Sequence, residues 1–172
     1  MSRILSLTLA ALLLTAACGR SGLFGPDGSQ STSPSDESLG FVRLASEPYA
    51  FASFSGLTDS ARVVVRDARA WEAIWGEIWR HHIRLPELPV IDFEREMVVV
   101  AALGTRRSGG YDILVNGATR TADGVEVSIL NRSPGIQCGN TGAITRPLDI
   151  ARLRRVDGVV RFRERAELRG CR

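Results

Sequence analysis

Between residues 41 and 80 the spacing of the apolar positions changes once, and each spacing predicts a different element. Residues 41–45 and 61–66 are short branched or alternating runs, which are typical of β-strands. Apolar side chains then recur at intervals of three and four residues, which places them on one side of a helix. This stripe consists of Ala68, Trp71, Ile74, Trp75 and Ile78. Asp67 stands where an N-cap carboxylate would accept from free backbone N–H groups. The pattern predicts one amphipathic helix through about Arg80.

The helix cannot continue through residues 85–89, because Pro86 and Pro89 lack an N–H group and restrict the residue before them. Residues 97–103 are apolar on both faces, as in a central covered strand. Residues 104–110 are polar and contain glycine, which predicts a loop.

Alternating patterns predict the remaining strands. Two of these strands contain Tyr111–Val115 and Val125–Ile129, and Asp123-Gly124 between them is a hairpin signal. Asn116-Gly117 is a competing turn, but the alternation resumes too late for a two-residue hairpin, which favours a β-bulge there. Further strands are expected at 148–153 and 160–166. The predicted fold class is α+β, with one amphipathic helix packed on a mainly antiparallel sheet, a meander, in a single domain.

The N-terminus predicts export. Met1-Ser2-Arg3 is a short cationic start, and residues 4–17 form an apolar run too short to span a bilayer. Leu14-Thr15-Ala16-Ala17-Cys18-Gly19 resembles a lipobox, although Thr15 stands where Leu is usual. Residues 1–17 are therefore predicted to be a lipoprotein signal peptide, with lipid on Cys18. The alternative is an ordinary secretion signal with an incidental cysteine, and both predict an exported protein.

A change of composition after Cys18 predicts a tether. Residues 19–40 contain six Ser, five Gly and two Pro, and such a segment is typical of disorder. As a flexible coil it would span on the order of 25 Å. Residues 18–40 are thus interpreted as a lipidated tether, and residues 41–172 as a globular domain.

The charge balance excludes few functions. The chain has 22 basic and 19 acidic residues, and every basic residue is Arg. Removal of residues 1–17, which carry one Arg and no acid, leaves 21 against 19, a net charge of +2. So small an excess gives no reason to expect nucleic-acid binding. No second apolar stretch approaches transmembrane length, so membrane contact is expected through lipid.

Cys138 and Cys171 remain after lipidation and are expected to form a disulfide in an oxidising compartment. Two free or intermolecular thiols are the alternative. No C-x-x-C spacing supports a redox role.

Neither metal binding nor catalysis is supported by spacing. His81 and His82 are adjacent, so their side chains diverge on a helix and do not form a metal site. Ser108, His82 and Asp92 are the ingredients of a hydrolase triad, but no G-x-S-x-G motif accompanies them. The chain is expected to be no enzyme and to need no cofactor.

Three features could still serve recognition. Trp71 and Trp75 lie on the helix stripe, whereas Trp79 lies at its edge and is expected at the core margin. Arg161, Arg163 and Arg165 share one strand face, which is either a solvated face or a surface for an anionic partner. The third feature is the loop that follows residues 97–103. It contains two arginines, two glycines and an aromatic residue: Arg106, Arg107, Ser108, Gly109, Gly110 and Tyr111. Glycines that form a bulge, with Tyr111 packed inward, are the alternative for this loop.

Several motifs in order resemble the PrcB C-terminal domain family, roughly from Ala61 to Phe162. They are the helix with Trp71 and Trp75, the Leu88-Pro89-Val90-Ile91-Asp92-Phe93 passage, the apolar strand ending at Gly104, Ser108-Gly109-Gly110-Tyr111, Pro134 and Thr145-Arg146-Pro147. The resemblance implies a non-catalytic accessory lipoprotein of a bacterial surface protease complex, and it brings no catalytic residues.

Two functions remain at this stage. The first is a lipid-anchored binding or scaffold protein that stabilises a protease or another exported partner. The alternative is a direct inhibitor of an exported protease that uses the 105–111 loop. The sequence leaves open whether that loop or the Arg161/Arg163/Arg165 face binds the partner.

Overall fold

The computed structural model describes residues 37–44 and 53–170, which contain seven strands and one helix. The elements are β1 (Phe41–Arg43), β2 (Ala61–Val65), α1 (Ala68–Trp79), β3 (Glu96–Ala102), β4 (Asp112–Thr121), β5 (Gly124–Pro134), β6 (Leu148–Arg154) and β7 (Val159–Arg169). They form two sheets, with the strand orders β1-β6-β3-β2 and β4-β5-β7. The α+β class with mainly antiparallel pairing is confirmed.

The predicted meander is wrong. β4 and β5 form a hairpin, but β6 joins the other sheet between β1 and β3, and β7 then returns to pair parallel with β5. The reason lies in β6, because five of its first six residues are buried, so both faces of this strand need cover and both receive it in the first sheet. Chain order alone cannot show this exchange between sheets.

Helix α1 begins as the sequence predicts. The Asp67 side chain accepts a 2.8 Å hydrogen bond from the Ala70 backbone N–H. Trp71, Trp75 and Ile78 are fully buried, and Trp79 is only 4% exposed, so it lies in the core rather than at its margin. Their cluster includes the three residues of β3 that face α1: Val98, Val100 and Ala102.

The segment after α1 lies against the tryptophans. Trp75 Nε1 donates to the Pro86 carbonyl oxygen at 3.1 Å, and Trp71 Nε1 donates to that of Pro89 at 3.0 Å. A buried indole N–H needs such a partner. These bonds fix the backbone of residues 86–89 over the helix.

Strand β3 is buried on both faces, as predicted. Met97, Val99 and Ala101 contribute to a second apolar cluster. This cluster lies between the sheets, since it also contains residues of β4 and β5 such as Ile113 and Val127. The domain therefore has three layers, with the first sheet between α1 and the second sheet.

The hairpin and the bulge are also confirmed. Thr121 pairs with Gly124, so Ala122 and Asp123 form the two-residue turn, one residue earlier than the Asp123-Gly124 signal placed it. The register of β4 shifts between Val115 and Gly117, which leaves Asn116 out of the ladder.

Two contacts connect the sheets at their edges. Leu39 N–H donates to the Ala118 carbonyl oxygen of β4 at 2.7 Å, while the following residues of β1 pair with β6. Leu39 is buried, so the fold includes at least residues 37–40, which the sequence assigned to the tether. At the opposite edge, Arg62 of β2 forms two hydrogen bonds, of 2.9 and 2.8 Å, with Glu164 of β7. These bonds lower the pKa of Glu164.

Candidate functional site

The 105–111 loop is fixed at its start by backbone hydrogen bonds. Thr105 N–H donates to the Thr58 carbonyl oxygen at 2.8 Å. Arg106 and Thr145 exchange both backbone bonds, at 2.8 and 3.0 Å, and form an isolated antiparallel bridge. Gly104, with a φ of 71°, allows this path, because a Cβ there would lie 2.6 Å from the Asp59 backbone.

The tip of the loop is also attached to residues 141–145. Gly109 N–H donates to the Thr141 carbonyl oxygen at 2.9 Å, and Thr145 Oγ1 donates to that of Ser108 at 2.9 Å. A Cβ at Gly109 would lie 2.5 Å from Thr141 Oγ1. Gly110 has a φ of 84° and approaches Asn140 similarly. The two glycines thus permit close packing of two loops.

The two arginines of the loop differ. The Arg106 guanidinium lies 5.7 Å from the centre of the Tyr111 ring, a cation–π distance, and Arg106 is half-buried. Tyr111 is partly buried against the core cluster between the sheets. Arg107 is exposed. Arg107 is therefore the cation of the loop that solvent, or a partner, can reach most easily.

A cavity of about 240 Å³ lies beside this loop. Gly110 lines it on the loop side, Pro134 and Arg169 line it from the ends of β5 and β7, and Asn140 lines it from the connection after β5. The loop, residues 139–145 and the C-terminal end of β7 thus share one part of the surface.

Cys138 borders the same cavity. Its Sγ lies 3.8 Å from the Arg169 carbonyl oxygen, two residues before Cys171 in the chain. Cys171 and the lipidation candidate Cys18 lie outside the described residues. The Cys138–Cys171 pairing therefore stays a prediction, as does the lipid on Cys18.

The arginines of β7 face carboxylates. Arg161 donates to both carboxylate oxygens of Asp123, and this pair holds the pKa of Asp123 at about 2. Looser ion pairs accompany the other two arginines. Arg163 lies 3.6 Å from Glu126, and Arg165 lies 3.9 Å from Glu167. The charge of the Arg161/Arg163/Arg165 face is thus locally balanced, which favours a solvated, ion-paired face.

A buried polar network lies beside the bulge of β4 and was not foreseen from the sequence. Asp149 of β6 is 3% exposed and accepts 2.7 and 2.9 Å bonds from Val115 N–H and Arg43 Nε. Arg43 also donates to the Val115 carbonyl oxygen at 2.6 Å. Burial raises the pKa of Asp149, against the opposing effect of these bonds. An acid in the otherwise apolar face of β6 was the only signal in the sequence.

The residues considered for other chemistry have local contacts. His82 Nε2 lies 3.1 Å from the Phe54 carbonyl oxygen, and His81 accepts from Arg80. Asp92 accepts from Glu94 N–H. Within the described part of the chain, no group of three or more His, Cys, Asp or Glu residues could hold a metal ion. Over the same residues, no helix is long and apolar enough to cross a membrane.

The fold and the loop thus define an α+β domain with a rigid, glycine-containing surface loop. A family model described as PrcB C-terminal matches residues 97–154, from β3 to the end of β6. The resemblance predicted from the sequence is confirmed over this range, which includes the 105–111 loop. Helix α1 and residues 88–93 lie outside the match. No curated protein and no solved structure matches the chain significantly.

Proposed function

We propose that the protein is an exported, lipid-anchored, non-catalytic accessory protein that binds and stabilises a protease or another surface protein complex. The match of residues 97–154 to the PrcB C-terminal family carries this proposal. It suggests an accessory role in a protease-related complex. The membrane attachment rests on the lipobox-like residues that end at Cys18.

The contact surface is proposed to be the 105–111 loop. Its backbone is tied to Thr58, Thr141 and Thr145, so little conformational entropy is lost when a partner binds. Arg107 is exposed at this loop, and the neighbouring Ile144 is 60% exposed. An arginine beside apolar surface is typical of the few residues that dominate a protein interface.

We expect Arg107→Ala to weaken capture of the native partner by roughly thirtyfold, the effect of about 2 kcal/mol at which an interface hot spot begins. Its melting temperature should barely move, because the side chain is exposed. Capture by the purified lipoprotein from its native membrane and thermal unfolding are the two measurements. Arg69→Ala, an exposed arginine on α1, is the matched control. Intact capture by Arg107→Ala would place the binding surface elsewhere. Arg106→Ala is less informative, since Arg106 packs on Tyr111.

Direct inhibition of an exported protease through the same loop is the second candidate. The attachment of the loop at both its start and its tip favours it, because an inhibitory loop must keep its shape in a protease cleft. Residual protease activity in a mixture of the purified proteins separates the two functions. A stabilising subunit leaves or raises the activity, whereas an inhibitor abolishes it.

The lipid anchor has its own test. Cys18→Ser is expected to abolish lipid attachment, so that the protein no longer partitions into the detergent phase. The reason is that stable anchoring takes two attachment signals, and the acyl chains on the modified cysteine would supply them. Detergent phase separation and the mass of the mature chain measure this. Cys138→Ser, which removes a different cysteine, should leave partition unchanged. If Cys18→Ser keeps the wild-type mature mass and partition, there is no lipid at Cys18.

The predicted disulfide would attach the end of β7 to the turn after β5. Non-reduced peptides of the exported protein should contain the Cys138–Cys171 link, because Cys138 Sγ already lies 3.8 Å from the Arg169 carbonyl oxygen. Mass spectrometry with and without reduction measures it. We expect reduction to lower the free energy of unfolding by about 2–4 kcal/mol. Two alkylatable thiols in the exported protein would contradict the pairing.

A further inference from the structure

Residues 81–90, the segment after α1, carry apolar side chains that the fold does not cover. Ile83 is fully exposed, Val90 is 89% exposed and Leu85 is 62% exposed. Single exposed apolar residues are common, but several within ten residues form the kind of surface that contacts a partner or a membrane.

The exposure follows from a fixed backbone. The carbonyl oxygens of Pro86 and Pro89 accept the indole N–H groups of Trp75 and Trp71. The core beneath is already filled by the buried tryptophans of α1, so the apolar side chains of the segment cannot turn inward. The segment therefore presents Leu85 and Val90 from a backbone held on the helix.

One exposed cation accompanies these apolar side chains. Arg84 is exposed between Ile83 and Leu85. Arg80, the preceding arginine in the sequence, forms an ion pair with Glu77 at 3.0 Å. Arg84 is therefore the arginine best placed to act together with the apolar residues. Glu87 is the one acid within the segment. Apolar side chains beside an exposed arginine are suited to a surface that rests on anionic lipid headgroups, because the side chains enter the interface while the guanidinium contacts a phosphate.

We propose that residues 81–90 dock on an anionic lipid surface, with Ile83, Leu85 and Val90 entering the interface and Arg84 contacting headgroup phosphates. The proposal rests on the proposed lipid anchor. The composition of residues 19–36 predicts a flexible linker, which would keep the domain on the order of 20 Å from the bilayer. A contact too weak to bind alone then suffices, because the anchor keeps the local lipid concentration high.

The tryptophans provide the measurement, because all three of the chain lie on α1 and two of them hydrogen-bond to this segment. The intact lipoprotein is incorporated into vesicles of phosphatidylcholine and phosphatidylglycerol that carry a nitroxide in the headgroup region. Docking predicts quenching of the tryptophan fluorescence, and less quenching when phosphatidylglycerol is omitted. The double variant Ile83→Ser, Val90→Ser should lower the docked fraction roughly tenfold, because it removes two apolar groups from the interface.

Ile136→Ser is the matched control, since Ile136 is 101% exposed and Ile83 is 104% exposed. Its tryptophan fluorescence should be quenched as much as that of the wild type, and all variants should keep the wild-type melting temperature. Flotation of the vesicles reports the anchor separately, so a failed anchor is distinguished from a failed docking. Floating protein without quenching overturns the proposal, as does equal quenching in the double variant. Loss of protein capture by the double variant, without any quenching in the wild type, would assign the segment to a protein partner instead.

Discussion

Replacing Trp75 by alanine is expected to lower the free energy of unfolding by about 4 kcal/mol, as for other buried aromatic residues. Trp75 is 1% exposed and lies between Trp71 and Trp79, with ring centres 5.2 and 5.5 Å away. The substitution leaves a cavity in the cluster between α1 and the first sheet. It also leaves the Pro86 carbonyl oxygen without the indole N–H that it accepts.

Chemical denaturation of Trp75→Ala and of Glu72→Ala measures this effect. Glu72 is exposed on the same helix, so its substitution should change stability by less than about 0.5 kcal/mol. Trp75→Phe retains part of the ring but loses the N–H donor. It should therefore speed hydrogen exchange in residues 83–87. A small effect of Trp75→Ala would mean that these tryptophans do not form the core between helix and sheet.

Replacing Asp149 by alanine is the second large effect, with an expected loss of about 2–3 kcal/mol. The alanine would leave the Val115 N–H without an acceptor beside the bulge and Arg43 without its carboxylate. The loss is kept below that of a fully buried ion pair because the Arg43 side chain is 35% exposed. Burial of the Asp149 charge is itself unfavourable and raises the pKa of the carboxyl group. The alanine variant avoids this cost, which reduces the expected loss of stability further.

Denaturation of Asp149→Ala is compared with that of Asp157→Ala, because the Asp157 side chain is 92% exposed and its loss should be nearly neutral. Asp149→Asn keeps the size of the side chain but removes its titration, so the difference from the wild type reports the protonation of Asp149. A carboxyl group whose pKa is raised in the folded state stabilises that state when the group is protonated. The stability of the wild type relative to Asp149→Asn should therefore increase as the pH falls from that raised pKa towards the ordinary 3.8. The opposite slope would show that the bonds from Arg43 and Val115 outweigh burial.

The apolar pattern was a reliable guide wherever a single element determines the spacing. It predicted α1 with its N-cap Asp67, the doubly buried β3, the hairpin of β4 and β5 to within one residue of its turn, and the bulge at Asn116. Each of these depends on residues close together in the chain. Helical and strand periodicities differ, and cap, turn and bulge residues act within a few positions.

The candidate site was predicted only in part. The loop and its glycines were recognised from composition, and the family match covers them. The different roles of Arg106 and Arg107 were not foreseen, because they depend on Tyr111 and Thr145. The sequence likewise showed the arginines of β7 but not their partners. Asp123 and Glu126 form ion pairs with Arg161 and Arg163 from the β5 side.

The sequence by itself determined the elements, their buried faces and the resemblance to the PrcB C-terminal family. Only the tertiary structure decided that β6 leaves the order of a meander, that β7 pairs parallel with β5, and that Leu39 belongs to the core. It also decided that Asp149 and Arg43 meet, 106 residues apart in the chain. The physical reason is that an apolar periodicity states which face of a strand is buried but not which strand covers it. That choice is made by the packing of both sheets and the helix together, which minimises exposed apolar surface over the whole domain.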